Sequence, residues 1–293
     1  MSSIGIKDTM ILKTFYSSPD EQTGEHYSRA KIPEVLDTPL KIIAWTPEDS
    51  AGAGVTQYVH ALASLLKANL SRFETKYPDR DVIKGLNDKA AQLHADLIIF
   101  KTLESTFPKS FRKSSLERKF VQQLETSTLI VKHPQWPIRN ILLVIKDEIC
   151  DESAINWAVR LAKPSHAAVT VLPIIIPIPE MYKQSAREHI NVSSLLSSNS
   201  TLGRKTLKTM RRFVEQDIEV DISLSNETPF WQAWYEIKNK SYEIILIAAD
   251  PGNWLLRWAG GELAASVLEW ADQPVLISKP FESQSRRKSW SLN

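Results

Sequence analysis

The sequence predicts an α/β protein built on parallel sheets, and three observations carry that reading. Glu243 to Ala248 holds an unbroken apolar run after its first residue, the kind that a parallel sheet buries on both faces, and not the alternating run of a half-exposed antiparallel strand. Leu263, Ala264, Val267, Leu268 and Ala271 then recur at helical spacing, with Gly260-Gly261 before them and Asp272-Gln273-Pro274 as a stop. Val275 to Ser278 is a second buried strand, so a βαβ crossover closes there, and a ligand of such a sheet sits at the strand's carboxyl end. Recurrence supports the same reading. Ala95 to Phe100 followed by Thr128 to Lys132 repeats the pair at about 147 residues' distance, a domain-sized period that means duplication and not a solenoid.

Composition narrows the class. A chain of 293 residues with 43% hydrophobic content buries substantial cores, and two domains of about 100–150 residues is the expectation. A net charge of +2 is too balanced for a nucleic-acid binder. One cysteine, Cys150, excludes an intrachain disulfide and fits a reducing compartment. The start has no basic segment leading into a long apolar one, and the longest apolar run, Ala167 to Ile178, is too short to span a bilayer and carries Pro173 and Pro177. A cytoplasmic protein with no membrane insertion and no nucleic-acid partner is expected.

The elements follow in order. Residues 1–38 form a polar N-terminal extension in which Met10 to Tyr16 offers one strand. Lys41 to Trp45 is the first convincing strand, and Val55, Val59, Leu62, Leu66 and Leu70 give a helix of about four turns. Between them Ser50-Ala51-Gly52-Ala53-Gly54 invites a phosphate-binding reading, but no Walker lysine or dinucleotide fingerprint follows, and an ordinary turn is preferred. Arg72 to Tyr77 reads as a short strand and Val82 to His94 as a helix leading into Ala95 to Phe100. His133 to Ile138, with two prolines, is a stiff linker. Ile141 to Ile145 opens the second copy, Asp151 caps the helix carrying Ala154, Ile155, Ala158, Leu161 and Ala162, and Ala167 to Ile176 is its second strand. Gln184 to Ser200 reads as a long loop, Gly203 to Gln216 as a helix, Ile218 to Leu224 as a strand, and Thr228-Pro229 starts the helix of Trp231, Trp234 and Ile237. Residues 281–293 are expected to be a disordered basic tail.

The stretch 243–280 resembles the C-terminal part of the universal stress protein family. That family has a strand, two glycines three apart, a third glycine ten residues after the second, a Ser or Thr, a helix, and a last strand like Gln273-Pro274-Val275-Leu276-Ile277. The third glycine falls on Gly261; the first two fall on Ala248 and Pro251, with Gly252 one place late, and the Ser/Thr position holds Glu262. Acidic loop and Ser-Ala-Ile-Asn-Trp-Ala-Val-Arg-Leu-Ala after the strand at 141–145 match the family again. The resemblance implies two tandem universal-stress-type domains of the Rossmann-like, adenine-nucleotide-binding type: a truncated one at 39–132, a linker at 133–138 and a complete one at 139–280. It also implies a stress-response or regulatory role exercised by binding.

In nucleotide-binding members an aspartate ends the first strand, and the positions matching it are Thr46 and Lys146, with Asp147 one residue late. The residues available to a nucleotide are Lys146, Ala249, Asp250, Gly252, Arg257, Gly260, Gly261 and Glu262. Glu262 opposes a phosphate, since two unit charges about 5 Å apart at an effective dielectric near 20 repel by roughly 3 kcal/mol, about two decades of affinity. The first copy keeps only Ser115, and the solvated basic loop of Lys109, Arg112 and Lys113 is the preferred reading there. Trp254 and Trp258 flank Arg257 in a pattern more suited to covering apolar surface than to stacking on a base. The six histidines show no metal-ligand spacing, and no Ser, His and acid trio sits in a catalytic motif.

The reading is therefore a non-catalytic regulatory protein with a degenerate nucleotide site, no cofactor and no metal. The alternatives are an ATP or AMP sensor using the second copy and a slow ATP-hydrolysing enzyme. Leu129, Ile130 and Val131 are expected beside Val275, Leu276 and Ile277 as a pseudo-twofold pair of domains within the chain, because both strands are apolar edges. The linker from Lys132 to Arg139 reaches about 23–25 Å when extended, which permits this. An unidentified protein partner or a further homodimer remains open.

Overall fold

Short apolar runs separated by amphipathic ones become a doubly covered sheet, since each strand buries both faces only when helices cover both. The computed structural model describes residues 39–45, 53–74, 80–101, 117, 120–146, 151–175, 191–225, 227–249 and 263–279. Among them the first run of elements is β1 (Lys41–Trp45), α1 (Ala53–Leu65), β2 (Asn69–Phe73), α2 (Arg80–Leu93), β3 (Leu97–Lys101) and β4 (Ser127–Val131). The second run is β5 (Asn140–Lys146), α3 (Glu152–Ser165), β6 (Ala168–Ile174), α4 (Val192–Ser197), α5 (Thr201–Glu215), β7 (Val220–Ile222), α6 (Pro229–Asn239), β8 (Ile244–Ala248), α7 (Leu263–Trp270) and β9 (Val275–Ser278). Chain contacts divide Met1–Pro39 from Leu40–Asn293, and the nine strands of the described residues belong to the latter. The strand at Met10 to Tyr16, the loop at 50–52, the basic loop at 102–116 and the tail at 281–293 lie outside the described residues.

One sheet contains every strand of the described residues, in the order β2-β1-β3-β4-β9-β8-β5-β6-β7. All pairs are parallel except β4 with β9, where Thr128 stands opposite Ile277, Leu129 opposite Leu276 and Ile130 opposite Val275. One face carries Ile43, Trp45, Ile98, Phe100, Ile130, Leu142, Val144, Ile245, Ile247, Val275 and Ile277, all buried in one cluster under α2, α6 and α7. The alternate residues, such as Ile42, Leu129, Leu143 and Leu276, face the side where α1 meets α3.

Four helices end alike. Lys67, His94, His166 and Asp217 have φ of 49°, 51°, 53° and 58°, the left-handed region that favours glycine. Each is followed by a residue whose N–H reaches the carbonyl five residues back: Ala68 to Ala63, Ala95 to Ala90, Ala167 to Ala162 and Ile218 to Phe213. These bonds turn the chain directly from helix into strand. They also correct two boundaries. Leu70 belongs to β2 and not to the helix, and the strand expected at 72–77 is Asn69–Phe73, because the turn at Lys67 ends α1 one helical turn early and delivers Asn69 to the carbonyl of Leu40.

Two more expectations change. The long loop at 184–200 contains α4, held by a reciprocal capping box between Asn191 and Ser194 and by burial of Leu195 and Leu196. The strand expected at 218–224 shortens to Val220–Ile222 at the sheet's edge. β6 keeps Pro173 inside it. Val169 N–H and Val171 carbonyl point to the β7 side, so position 173 does too, and β7 pairs no further than Val171; the missing N–H of proline faces no neighbour strand.

Candidate functional site

The strand order reverses at β5, which has β6 on one side and β8 on the other, and this reversal is where open α/β sheets form a crevice at their carboxyl ends. Lys146 ends β5 there and is buried. Its ammonium donates to the carbonyl of Ala248 across the ends of β5 and β8, at 3.2 Å. Its backbone N–H donates to Asp151 Oδ2 at 3.0 Å. Lys205, reaching from α5, donates to the Lys146 carbonyl and lies 3.3 Å from the same Asp151 oxygen. Protein side chains therefore bridge the strand ends.

Asp151 stands at the N-cap position of α3 but makes no side-chain cap bond, which corrects the capping role expected for it. The competing partners are the backbone of Lys146 and the ammonium of Lys205, which turn its carboxylate away from the helix start. Burial raises its pKa above the ordinary carboxylate range, and the Lys146 N–H and Lys205 act against that rise. Its second oxygen has no partner among the described residues. Ser153 ties the start of α3 to the end of β9 by donating to the Lys279 carbonyl at 2.6 Å, and Ala249 N–H continues the ladder to Ser278.

The corresponding end of β1, between β2 and β3, is filled by aromatic rings. Trp45 stacks on Phe120 with centroids 5.1 Å apart, and Phe100 leans on both at 5.9 and 5.2 Å. All three are buried.

Of the sequence-derived site residues, Lys146 and Ala249 come together at the end of the sheet. Asp250, Gly252, Arg257, Gly260, Gly261 and Glu262 lie outside the described residues, as do Trp254 and Trp258. Leu129, Ile130, Val275, Leu276 and Ile277 meet in the antiparallel register, while Val131 lies beyond it and pairs with Lys101 on the β3 side. Two lysines at this seam were not singled out by the sequence. Lys132 follows β4 and donates to the carbonyls of Leu268 and Ala271, the latter at 2.9 Å, at the end of α7. Lys279 follows β9 and donates to the carbonyl of Leu124, at the end of the helical turn 120–123. Each lysine crosses the seam to cap a helix beyond it. Their matching places after Thr-Leu-Ile-Val and Val-Leu-Ile-Ser were the available signal.

Among the described residues no three His, Cys, Asp or Glu side chains are grouped to hold a metal ion, and no helix is long and apolar enough to cross a membrane.

A mostly parallel sheet with helices on both faces and a strand order that reverses at β5 defines a doubly wound α/β protein. Residues 137–279 match the Universal stress protein family. A solved universal stress protein from Archaeoglobus fulgidus is similar in fold, with a TM-score of 0.55 and 12% identity over 82% of this chain and 98% of that one. A Pseudomonas aeruginosa protein described as a universal stress protein gives a TM-score of 0.47 and 15% identity over 83% of each chain. No curated protein matches this chain.

Proposed function

We propose that the protein is a non-catalytic regulatory protein of the universal stress type, located in the cytoplasm and acting by binding, and that its nucleotide site has been given up. The observation that carries the reading is the Lys146 bridge. Its side chain joins the ends of β5 and β8 while its backbone is bonded to Asp151 and Lys205, and this supports the reading that the strand ends are closed to a nucleotide. Loss of the family's first two glycines and the carboxylate of Glu262 act in the same direction.

The chain is read as two universal-stress-type units, the first lacking the outer strand that corresponds to β7. Supporting this is a matched device at the start of each run. Asp96, just before β3, accepts the N–H of Lys41 at 2.8 Å; Glu243, just before β8, accepts the N–H of Asn140 at 2.6 Å and that of Arg139 at 3.0 Å. The seam lysines form a second matched pair.

The test is titration calorimetry of the full chain with ATP, ADP and AMP, with native mass spectrometry for retained ligand. Dissociation constants weaker than about 10 μM and no retained nucleotide are expected. Glu262→Ser should tighten residual binding by up to about a hundredfold, the repulsion of one carboxylate. Copurified ATP, or a constant below that limit, would overturn the reading. The adenine-nucleotide sensor is favoured by one observation, the gathering of two lysines, Lys146 and Lys205, at the crevice.

A further inference from the structure

Helix α6 buries Gln232, Ala233, Glu236 and Ile237 against the sheet. Its outward positions are Phe230, Trp231, Trp234 and Tyr235, and only at Lys238 does the outer face become charged. Phe230 is 43% exposed, Trp231 43% and Tyr235 37%. The rings form one connected surface: Phe230 on Trp270 of α7 at 4.1 Å, Phe230 on Trp231 at 5.1 Å, Trp231 on Trp234 at 5.4 Å, and Trp234 on Tyr235 at 5.2 Å. A helix facing water normally carries charged and polar residues on that side. With aromatic side chains of about 150–250 Å² each, the three most exposed rings alone leave roughly 200–300 Å² of contiguous apolar surface, and Trp234 and Trp270 extend it toward the roughly 300–600 Å² of the largest, often functional patches on a monomer.

The charges around the patch choose the occupant. Glu227 is exposed just before α6 and Lys238 is exposed near its end; Lys238 bonds Asp272 at 2.9 Å, and Lys240 bonds Glu236 at 2.9 Å. Paired charges of both signs do not suit an anionic membrane or a nucleic acid, each of which needs an excess of cations. They suit a surface that is its own complement. We propose that two copies of the chain associate through this stripe, with their α6 helices antiparallel across a twofold axis. An axis through the midpoint of Gln232 and Ala233 sets Trp231 against the second copy's Trp234, Phe230 against its Tyr235, and Glu227 against its Lys238. Hydrophobic and ionic pairs are satisfied by the same arrangement, as a twofold contact requires. Two patches together remove roughly 400–600 Å² of aromatic surface, the centre of an interface near the lower limit of about 1,200 Å² for specific association. The dimer therefore dissociates in the micromolar range. The seam of β4 and β9 is internal to each copy and takes no part in this contact.

Sedimentation velocity of the full chain from about 1 to 200 μM tests the proposal. The weight-average coefficient is expected to climb from the monomer to the dimer value, and Trp231→Glu with Tyr235→Glu to hold it at the monomer value with unchanged circular dichroism and thermal midpoint. Glu227→Lys and Lys238→Glu should each weaken association about tenfold, and the two together should restore it; this pair keeps the test open if the aromatic variant misfolds. A wild-type chain that stays monomeric at 200 μM, a dimer that survives the aromatic substitutions, or a monomer that instead floats with phosphatidylcholine vesicles would overturn it.

Discussion

Lys279 holds its ammonium against the Leu124 carbonyl in a half-buried position, and burial lowers its pKa to about 8, with Glu125 acting weakly the other way. The sign of the consequence follows from linkage. Between pH 8 and about 10.5 the unfolded chain keeps the proton that the folded chain has lost, so stability contributed through this residue rises with pH across that window. Lys279→Met removes the titration. Urea midpoints of wild type and variant, followed from pH 7 to 10.5, should diverge in favour of the wild type as pH rises; parallel lines would show that Lys279 is not the group responsible. Lys132, lowered chiefly by burial and opposed by Glu117 and Asp272, is the matching residue on the other side of the seam.

Among the elements, the helix ends are where stability can be gained. Lys67, His94 and His166 occupy left-handed conformations that cost an L residue with a Cβ about 1 kcal/mol each. Glycine adopts the conformation freely but loses more entropy on folding, so His166→Gly should stabilise by about 0.5 kcal/mol. Asp217→Gly should gain less, because aspartate already tolerates this region. Denaturant midpoints measure both, and a fall for His166→Gly would remove the argument. The same ends explain what was legible. Seven of the nine described strands lie where apolar runs put them, since burial on both faces writes itself into consecutive residues. The end of α1 was not legible, because Lys67 is no stop signal and the turn is closed by backbone bonds such as Ala68 to Ala63. Asp151 was misread for a related reason: local spacing marks it as a cap, whereas its partner Lys205 arrives from 54 residues away. The Trp45, Phe100 and Phe120 cluster was equally out of reach, its members being joined only by the parallel register of β1 and β3 and by the turn at 120–123.

At the scale of the whole molecule, the nine-stranded sheet depends on one antiparallel junction, because β4 and β9 are the two strands that join its otherwise parallel runs. Leu129, Ile130, Leu276 and Ile277 are completely buried there, so each run would expose an apolar edge if the junction parted. The connection between the runs adds little restraint beyond its own ends: His133 N–H bonds the Asp272 carbonyl, and Trp136 lies edge-on to Tyr58 while 45% exposed. Ile277→Asp places a carboxylate in this junction, and an unpaired buried charge is strongly destabilising. The runs should then separate before either unfolds, because each keeps its own parallel strands and covering helices. Trypsin reads the event directly. Lys132 is protected while its ammonium is held by the Leu268 and Ala271 carbonyls, and it becomes a substrate once α7 moves away. Cleavage after Lys132 should therefore accelerate at least about tenfold in Ile277→Asp, ahead of cleavage at the exposed Lys84 and Lys208, which report general unfolding. Equal acceleration at all three sites would mean that the sheet unfolds as one unit, and no acceleration in a folded variant would mean that the junction is not what holds the runs together.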